Sequence, residues 1–462
     1  MGIEDLNPLL LIGGMLALLV AVFSAIVAPR YWFYATVASF PGVMALEALP
    51  PGFSALAATP VKLLGLGALG GLAAHTIFLR KLPPMTMLLV ALSALTLGAY
   101  VLSAVVTGSP YAGWFQRIVS GVVFFFLMDV WCQTEEDLAT VKRVFATSAV
   151  VSILFGVVSG VGMVSEGVAE QVFDDSERQE AIFGNPNRAG AYALIALGLL
   201  VSMGMKAFNE RRGLLAALSG AISVGLVYFI FSTGSRGSFF GLLAFGGVTM
   251  LFALPRLRSK LMLPLAAMGV FLALVAVAPD IFQQRIVDEI FGESEEAGLT
   301  KVGTFKIRMR INQSGLEQFV ASPLVGSGPG NILDENKKRL GLRWAIHNRY
   351  VEVLASTGVL GTLPFLATLL ATAWLFLRVI RRTPPERAVA VASDLGLFAG
   401  ILVVSFGSSG VFEKATVFVM ALASAHNNIL RGNTAALPSS APPVVASVPP
   451  AQQRQRPHFK NL

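Results

Sequence analysis

Charge is what this sequence has least of. Only 13% of its 462 residues are Asp, Glu, Lys or Arg, about half the roughly 25% usual in a soluble domain. The complement is 55% hydrophobic residues and a mean hydropathy of +0.69. A water-soluble globule cannot hide that much apolar surface, whereas a bilayer serves as its solvent. Cysteine is nearly absent: Cys132 stands alone, which excludes an intrachain disulfide and a thiolate metal cluster. His75, His347, His426 and His458 lie far apart in sequence, and no two have metal-ligand spacing. The start of the chain lacks the basic segment of a cleaved signal. Glu4 and Asp5 precede the first apolar run, so that run reads as a span. There is no alternating apolar-polar pattern of a membrane barrel. No basic face interleaved with aromatics is present either, so the net charge of +8 does not indicate nucleic acid.

What is there is a series of continuous apolar runs. They fall at about 9–28, 31–48, 60–79, 84–106, 113–132, 143–164, 187–205, 213–232, 237–254, 261–279, 358–377, 388–407 and 412–430, at about 20 residues per span. Only helices or closed barrels satisfy the backbone in lipid, so the chain reads as an all-α polytopic bundle of about 12–13 spans. Arg80–Lys81, Lys142–Arg143, Lys206 with Arg211–Arg212, Arg256 with Arg258 and Lys260, and Arg378 with Arg381, Arg382 and Arg387 mark alternate connections. The positive-inside bias puts these in the cytoplasm. The acidic loop at 165–186 and one long loop at 280–357 then face outward. Five parts follow: N-terminal spans over 1–164, central spans with arginine motifs over 165–279, the long and partly helical periplasmic loop over 280–357, C-terminal spans over 358–430, and a tail over 431–462. The tail is rich in Pro, Ala, Ser and Gln and reads as a disordered cytoplasmic extension.

Arginine at the outer face runs against the charge bias and asks for a reason. In Asn185-Pro186-Asn187-Arg188, proline favours a turn, Asn187 is a candidate helix cap, and Arg188 falls in a first helical turn. Its charge there opposes the helix dipole, which suggests an anionic partner; snorkelling to lipid headgroups is the plainer alternative. In Ser232-Thr233-Gly234-Ser235-Arg236-Gly237, a short break joins two spans. Ser235 is placed to cap the second, and Arg236 opens it. A tight hairpin whose arginine meets lipid phosphate is the alternative. The segment 304–322 reads as a helix with Arg308, Asn312, Leu316 and Phe319 on one side and Arg310, Gln313 and Glu317 on the other. Arg308 would then point at the protein and Arg310 at water. An inward arginine needs an anion, either a ligand or an acidic loop residue. Gly326-Ser327-Gly328-Pro329-Gly330-Asn331 is either a cradle of backbone amides for an anion or an irregular turn; it matches no dinucleotide or Walker pattern. Last comes His347-Asn348-Arg349-Tyr350. A neutral imidazole at the outer face suits a general base, and an interfacial or capping histidine is the alternative reading.

In this order, Phe183-Gly-Asn-Pro-Asn-Arg188, Thr233-Gly-Ser-Arg236-Gly, Arg308 with Pro323-Leu-Val-Gly-Ser-Gly-Pro-Gly330, and His347-Asn348 with Glu352 and Ser356-Thr-Gly-Val-Leu-Gly361 resemble the O-antigen ligase and polymerase superfamily of bacterial envelope glycosyltransferases. The resemblance covers about residues 180–375. It implies a donor glycan on undecaprenyl diphosphate, transferred at the periplasmic face of the inner membrane to an acceptor hydroxyl. Anomeric inversion without a metal or other cofactor is implied as well. Arg236 and Arg308 would hold the diphosphate, with Arg188 assisting, and His347 would deprotonate the acceptor. Asn187, Ser235, Arg310, Asn348 and Tyr350 are secondary positions around them. Family members commonly carry an aromatic residue shortly after the loop arginine; here Ile311-Asn312 follow, so Arg310 stands as the alternative to Arg308. Fixed guanidinium groups suit a leaving diphosphate.

The leading expectation is an O-antigen ligase with lipid A–core as acceptor. A polymerase acting on a growing glycan and a protein O-oligosaccharyltransferase share its motifs. A glycolipid transporter is a different class, for which Arg117 is the mid-membrane candidate. Membrane lipids are the remaining partners, and nucleic acid is excluded.

Overall fold

In the computed structural model the described residues are 24, 28–47, 86–110, 113–159, 186–253, 304–341, 343–408 and 414–436. They form twelve helices and no strand. In chain order these are α1 (Pro29–Glu47), α2 (Met87–Thr107), α3 (Gly113–Trp131), α4 (Glu135–Ser159), α5 (Pro186–Asn209), α6 (Gly213–Ser232), α7 (Arg236–Ala253), α8 (Thr304–Ala321), α9 (Ile332–Leu340), α10 (Arg349–Arg382), α11 (Pro385–Val404) and α12 (Lys414–Ala436). Among the described residues, seven helices are long and apolar enough to cross a membrane: α2, α4, α5, α6, α7, α10 and α11. The expected all-α polytopic membrane architecture is therefore present. The expected spans at about 9–28, 60–79 and 261–279 lie almost entirely outside the described residues, as does the acidic loop; of the tail expected to be disordered over 431–462, residues 431–436 instead continue helix α12, and the rest lies outside the described residues.

The helices form a bundle around α5, α11 and α12. Helix α11 packs on α5, α7, α10 and α12, and α10 packs on α2 and α12. A Cβ added at Gly400 would sit 2.7 Å from the carbonyl oxygen of Gly241. That close approach of α7 and α11 is how membrane helices gain contact where lipid gives no hydrophobic drive. One end of the bundle carries Arg211, Arg212, Arg381, Arg382 and Arg387. The other carries residues 186–188, 233–236, 347–349, 405–408 and 414–416, and is called here the motif end.

Lys142 departs from the expectation. The sequence places it in a basic connection with Arg143, but α4 begins at Glu135, so Lys142 lies two turns inside the helix and is 5% exposed. Its ammonium is paired with the Asp394 carboxylate of α11 and lies 3.3 Å from Ser202 of α5. Nε2 of His426, from α12, lies 2.6 Å from the same Asp394 oxygen. Charge removed from water survives only when paired, and this triad together with Ser202 ties four helices together. Nearby, Asp129 of α3 accepts from Ser424 and Asn428 of α12. Thr86 in turn bonds to Asn427 and Asn428.

The long loop is folded where it is described. Helix α10 runs 34 residues but breaks at Gly358, with φ 58° and ψ −154°. The segment 323–328 fills the break. Ser327 N donates to Ala355 O at 2.8 Å and Gly328 N to Ser356 O at 3.1 Å. Val359 N and Leu360 N donate back to Pro323 O and Leu324 O, at 2.8 and 3.2 Å. Backbone groups released by the break are thus re-paired, as buried backbone requires. The glycine-rich stretch is therefore a splint for α10: its Ser327 and Gly328 amides are spent on the helix and not on an anion. It also docks on α2. Gly108 in the left-handed conformation ends that helix, and Ser109 beyond it accepts from Gly330 N at 2.7 Å.

Candidate active site

Two of the sequence motifs meet at the motif end. Pro186 opens α5, placing Asn187 and Arg188 in its first turn. Proline at the first position costs no hydrogen bond, because that N–H has no partner in the helix. Gly234, with φ 61°, turns the chain between α6 and α7. Ser235 then caps α7, its Oγ accepting from Ser238 N at 3.3 Å. The Ser235 hydroxyl donates to Asn187 Oδ1 at 2.9 Å. Asn187 was expected to cap α5; it instead lies inside the first turn and accepts from the neighbouring break. Arg188 and Arg236, each beside one member of this bond, are half-buried at the starts of two adjacent helices.

Helix α8 presents a different face from the expected one. Its buried positions are Ile311, Ser314, Gly315 and Gln318, while Leu316 is 46% exposed. Periodicity misled because the inward face is polar. Ser314 Oγ donates to Asn336 Oδ1 at 2.8 Å, and Gln318 Nε2 to the same oxygen at 2.9 Å. Ser327 Oγ closes the network on Gln318 Oε1 at 3.0 Å. These satisfied polar groups can be buried without cost in unpaired atoms. Arg308 lies half-buried at the edge of this face and Arg310 is exposed, as expected for both.

His347 sits in the extended segment between α9 and α10, half-buried. Burial lowers its pKa below the ordinary value, and the positive charge of Arg308 lowers it further. Both causes disfavour the imidazolium and favour the neutral ring, the form that can take a proton. Arg308 and His347, 39 positions apart, are therefore electrostatic neighbours. Asn348 is the cap of α10, its Oδ1 accepting from Tyr350 N at 3.1 Å and Val351 N at 3.3 Å. The Tyr350 hydroxyl donates to Leu402 O at 2.9 Å, fixing α10 on α11.

One residue escaped sequence reasoning. Arg349 is 2% exposed, and its guanidinium donates to Thr416 Oγ1 and, at 3.5 Å, to Ser408 Oγ. With Asn187 and Arg188 it lines a small cavity completed by Ser405, Ser408 and Thr416. Nothing in its neighbours along the chain marks it as inward, because an arginine at a helix start beside a histidine looks like surface. Among the described residues, no three His, Cys, Asp or Glu side chains converge as a metal site would require.

Fold and site define a polytopic helical membrane protein with arginines and a neutral histidine gathered at one end of its bundle. Residues 221–366, from within α6 into α10, match the family model described as O-Antigen ligase. Arg236, Arg308 and His347 lie inside the matched segment, and Asn187 and Arg188 lie before it. The chain is also 22% identical over 329 residues to the curated "Teichuronic acid biosynthesis protein TuaE" of Bacillus subtilis (strain 168), covering 68% of this chain and 66% of that protein. The alignment thus spans just under two thirds of that relative. Together the matches bear out the resemblance to the O-antigen ligase superfamily, and the segment 221–366 is similar to the O-Antigen ligase family.

Proposed function

We propose that this protein is an O-antigen ligase-type glycosyltransferase. It moves a glycan from undecaprenyl diphosphate to an acceptor hydroxyl, lipid A–core in the leading case, at the periplasmic face of the inner membrane. The observation that carries the reading is a half-buried His347 whose pKa is lowered by burial and by the neighbouring Arg308 charge, inside the matched segment. In this reading His347 takes the proton of the acceptor hydroxyl as its oxygen attacks the anomeric carbon. The bond from that carbon to the diphosphate oxygen breaks, and the diphosphate leaves with the electron pair. Attack opposite the leaving group inverts the anomeric centre. Arg236 and Arg308, with Arg188, meet the charge growing on the leaving diphosphate, where guanidinium groups give charge-assisted and bidentate bonds. Arg310 is the alternative to Arg308.

A second reading is a polymerase that extends the glycan on its lipid carrier. It is favoured by the match to a protein named for teichuronic acid biosynthesis rather than for lipopolysaccharide. The test is a deletion strain complemented with wild type or His347→Ala, read by a lipopolysaccharide gel and by undecaprenyl-linked glycan. Loss of the ladder with long polymer held on the carrier supports the ligase. A core band bearing a single repeat supports the polymerase. A normal ladder and normal carrier-linked glycan with His347→Ala would overturn the general-base assignment.

A further inference from the structure

Helix α8 exposes apolar residues that its packing does not use. Met309, Leu316 and Val320 fall within about 40° of one another around the helix, at about 100° per residue, and Leu324 follows in the splint. All four are between 46% and 74% exposed. This edge lies opposite the buried Ile311, Ser314, Gly315 and Gln318. The charged side of α8 points elsewhere: Glu317 pairs with Arg339 of α9 at 3.3 Å, and α9 exposes Asp334, Lys337 and Lys338. Single exposed apolar residues need no explanation, but a continuous edge does.

Two spans set the level of this edge. Helix α2 rises about 30 Å from Met87 to Thr107 at 1.5 Å per residue, the thickness of a bilayer's hydrocarbon. The glycine-rich stretch docks just beyond it, where Gly330 N donates to Ser109 Oγ. On α10, Leu360, Leu363, Leu366, Leu370 and Trp374 form an exposed row at helical spacing. Leu360 to Arg381 is again about 30 Å. Leu360 N donates to Leu324 O, so the edge of α8 joins the lipid-facing row of α10 where the hydrocarbon ends. Nor does α8 stand away from the bundle. Tyr350 and Phe365 flank the break in α10 and would be about 22 Å apart along a straight helix. Their rings lie 6.3 Å apart, so the first arm of α10 folds over the second. Helix α8 follows that arm: a Cβ added at Gly315 would lie 2.7 Å from Val351, and Ser327 beyond its end bonds Ala355.

We propose that α8 is an interfacial helix: Met309, Leu316, Val320 and Leu324 insert among the acyl chains of the leaflet at the motif end, as the apolar edge of a helix lying in a membrane surface does. The insertion rests on the membrane bundle alone. Under the glycosyltransferase reading it also holds Arg308 and Arg310 at headgroup depth, the level of a lipid-borne diphosphate.

The experiment uses the full wild-type chain in nanodiscs of phosphatidylcholine that carries a diazirine on its acyl chain. After photolysis, adducts are mapped by peptide mass spectrometry. Adducts are expected on Met309, Leu316, Val320 or Leu324 at yields comparable with Leu363 and Leu370, and none on residues 334–339. Label on Leu363 and Leu370 with none over 309–324 overturns the proposal and leaves the glycosyltransferase reading standing. Label absent from Leu363 and Leu370 as well removes the lipid-facing row and the proposal with it. A second measurement reads depth. Nitroxide labels at Leu316→Cys, Val320→Cys and Lys338→Cys, each in a Cys132→Ala chain, are compared by collision with oxygen, which concentrates among acyl chains, and with a water-soluble nickel chelate. Labels at 316 and 320 are expected to favour oxygen, and the label at 338 the chelate. Chelate access at 316 and 320 equal to that at 338 overturns the proposal. Labels at 316 and 320 shielded from both reagents would place a second copy or another protein on this edge, and also overturn it. The photolabelling needs no variant, so it decides the matter even if the cysteine variants do not fold.

Discussion

The hydroxyl of Ser235 donates to the amide oxygen of Asn187 across 2.9 Å, joining two breaks that lie 48 positions apart in the chain. The same oxygen of Ser235 caps α7. One side chain therefore sets both the start of the helix bearing Arg236 and its spacing from the helix bearing Arg188. Ser235→Ala removes both bonds. Loss of the cap costs about 1 kcal/mol, a modest fall in thermal stability in detergent. Transfer is expected to fall further than that loss of stability accounts for, because the two guanidinium groups lose their common anchor. Transfer that stays at the wild-type level in purified Ser235→Ala would contradict this.

Arg236→Lys is expected to lower the transfer rate at least about tenfold, since a point charge does not replace a planar fork on a phosphoryl group. The measurement is initial rate with saturating donor and acceptor. A lysine variant as fast as wild type would remove the bidentate argument.

His347 has a pKa below its ordinary value through burial and through Arg308, and the sign follows directly. A base must be unprotonated, so the acid limb of transfer against pH lies below the ordinary histidine value of about 6.5. Arg308→Gln removes one of the two causes, and the residual activity should show an acid limb displaced upward. Diethyl pyrocarbonate modification of His347, followed by peptide mass spectrometry across pH, reports the same titration without catalysis. An acid limb that does not move in Arg308→Gln would deny the electrostatic coupling. Linkage gives the stability effect. A histidine whose folded pKa is lowered contributes no penalty above its unfolded value, and stability declines as pH falls from there through the folded pKa.

Asp394 answers both Lys142 and His426. Asp394→Asn strands a buried ammonium, and breaking one partner of a buried pair typically costs about 3–5 kcal/mol. The triple variant Lys142→Met, Asp394→Leu and His426→Leu strands nothing, and is expected to be far closer to wild type in thermal unfolding. A triple variant as unstable as the single one would show that the triad contributes more than mutual neutralisation.

Gly358 holds φ 58° and ψ −154°, a region open essentially to glycine. A Cβ there would lie 2.5 Å from the carbonyl of Leu324. Gly358→Ala is expected to lose about 1–3 kcal/mol from backbone strain alone, with more from the displaced splint. Proteolysis of the 323–330 segment should accelerate. Unchanged stability and protection would mean that the break closes without the splint.

Much of this protein was legible from its residues because the governing interactions are local or set by the solvent. Apolar runs of span length can only be helices in lipid, so the all-α membrane class follows from composition and length. Capping is also local: Ser235 and the start of α7 were readable because a cap acts over three residues. Arg308 inward of Arg310 followed from their separation along one helix. Tertiary packing decided what depended on which faces meet. Polar Ser314 and Gln318 turn inward because Asn336 and Ser327 satisfy them, and no periodicity of hydrophobicity records such a partnership. Lys142 is buried because Asp394 stands 252 positions away, and Arg349 is buried because Thr416 stands 67 positions away. A charge enters the interior only where a partner or dipole compensates the lost water. The sequence by itself determined the membrane, the helices and the residue types at the motif end. Only the tertiary structure decided which charges were paid for by partners far along the chain.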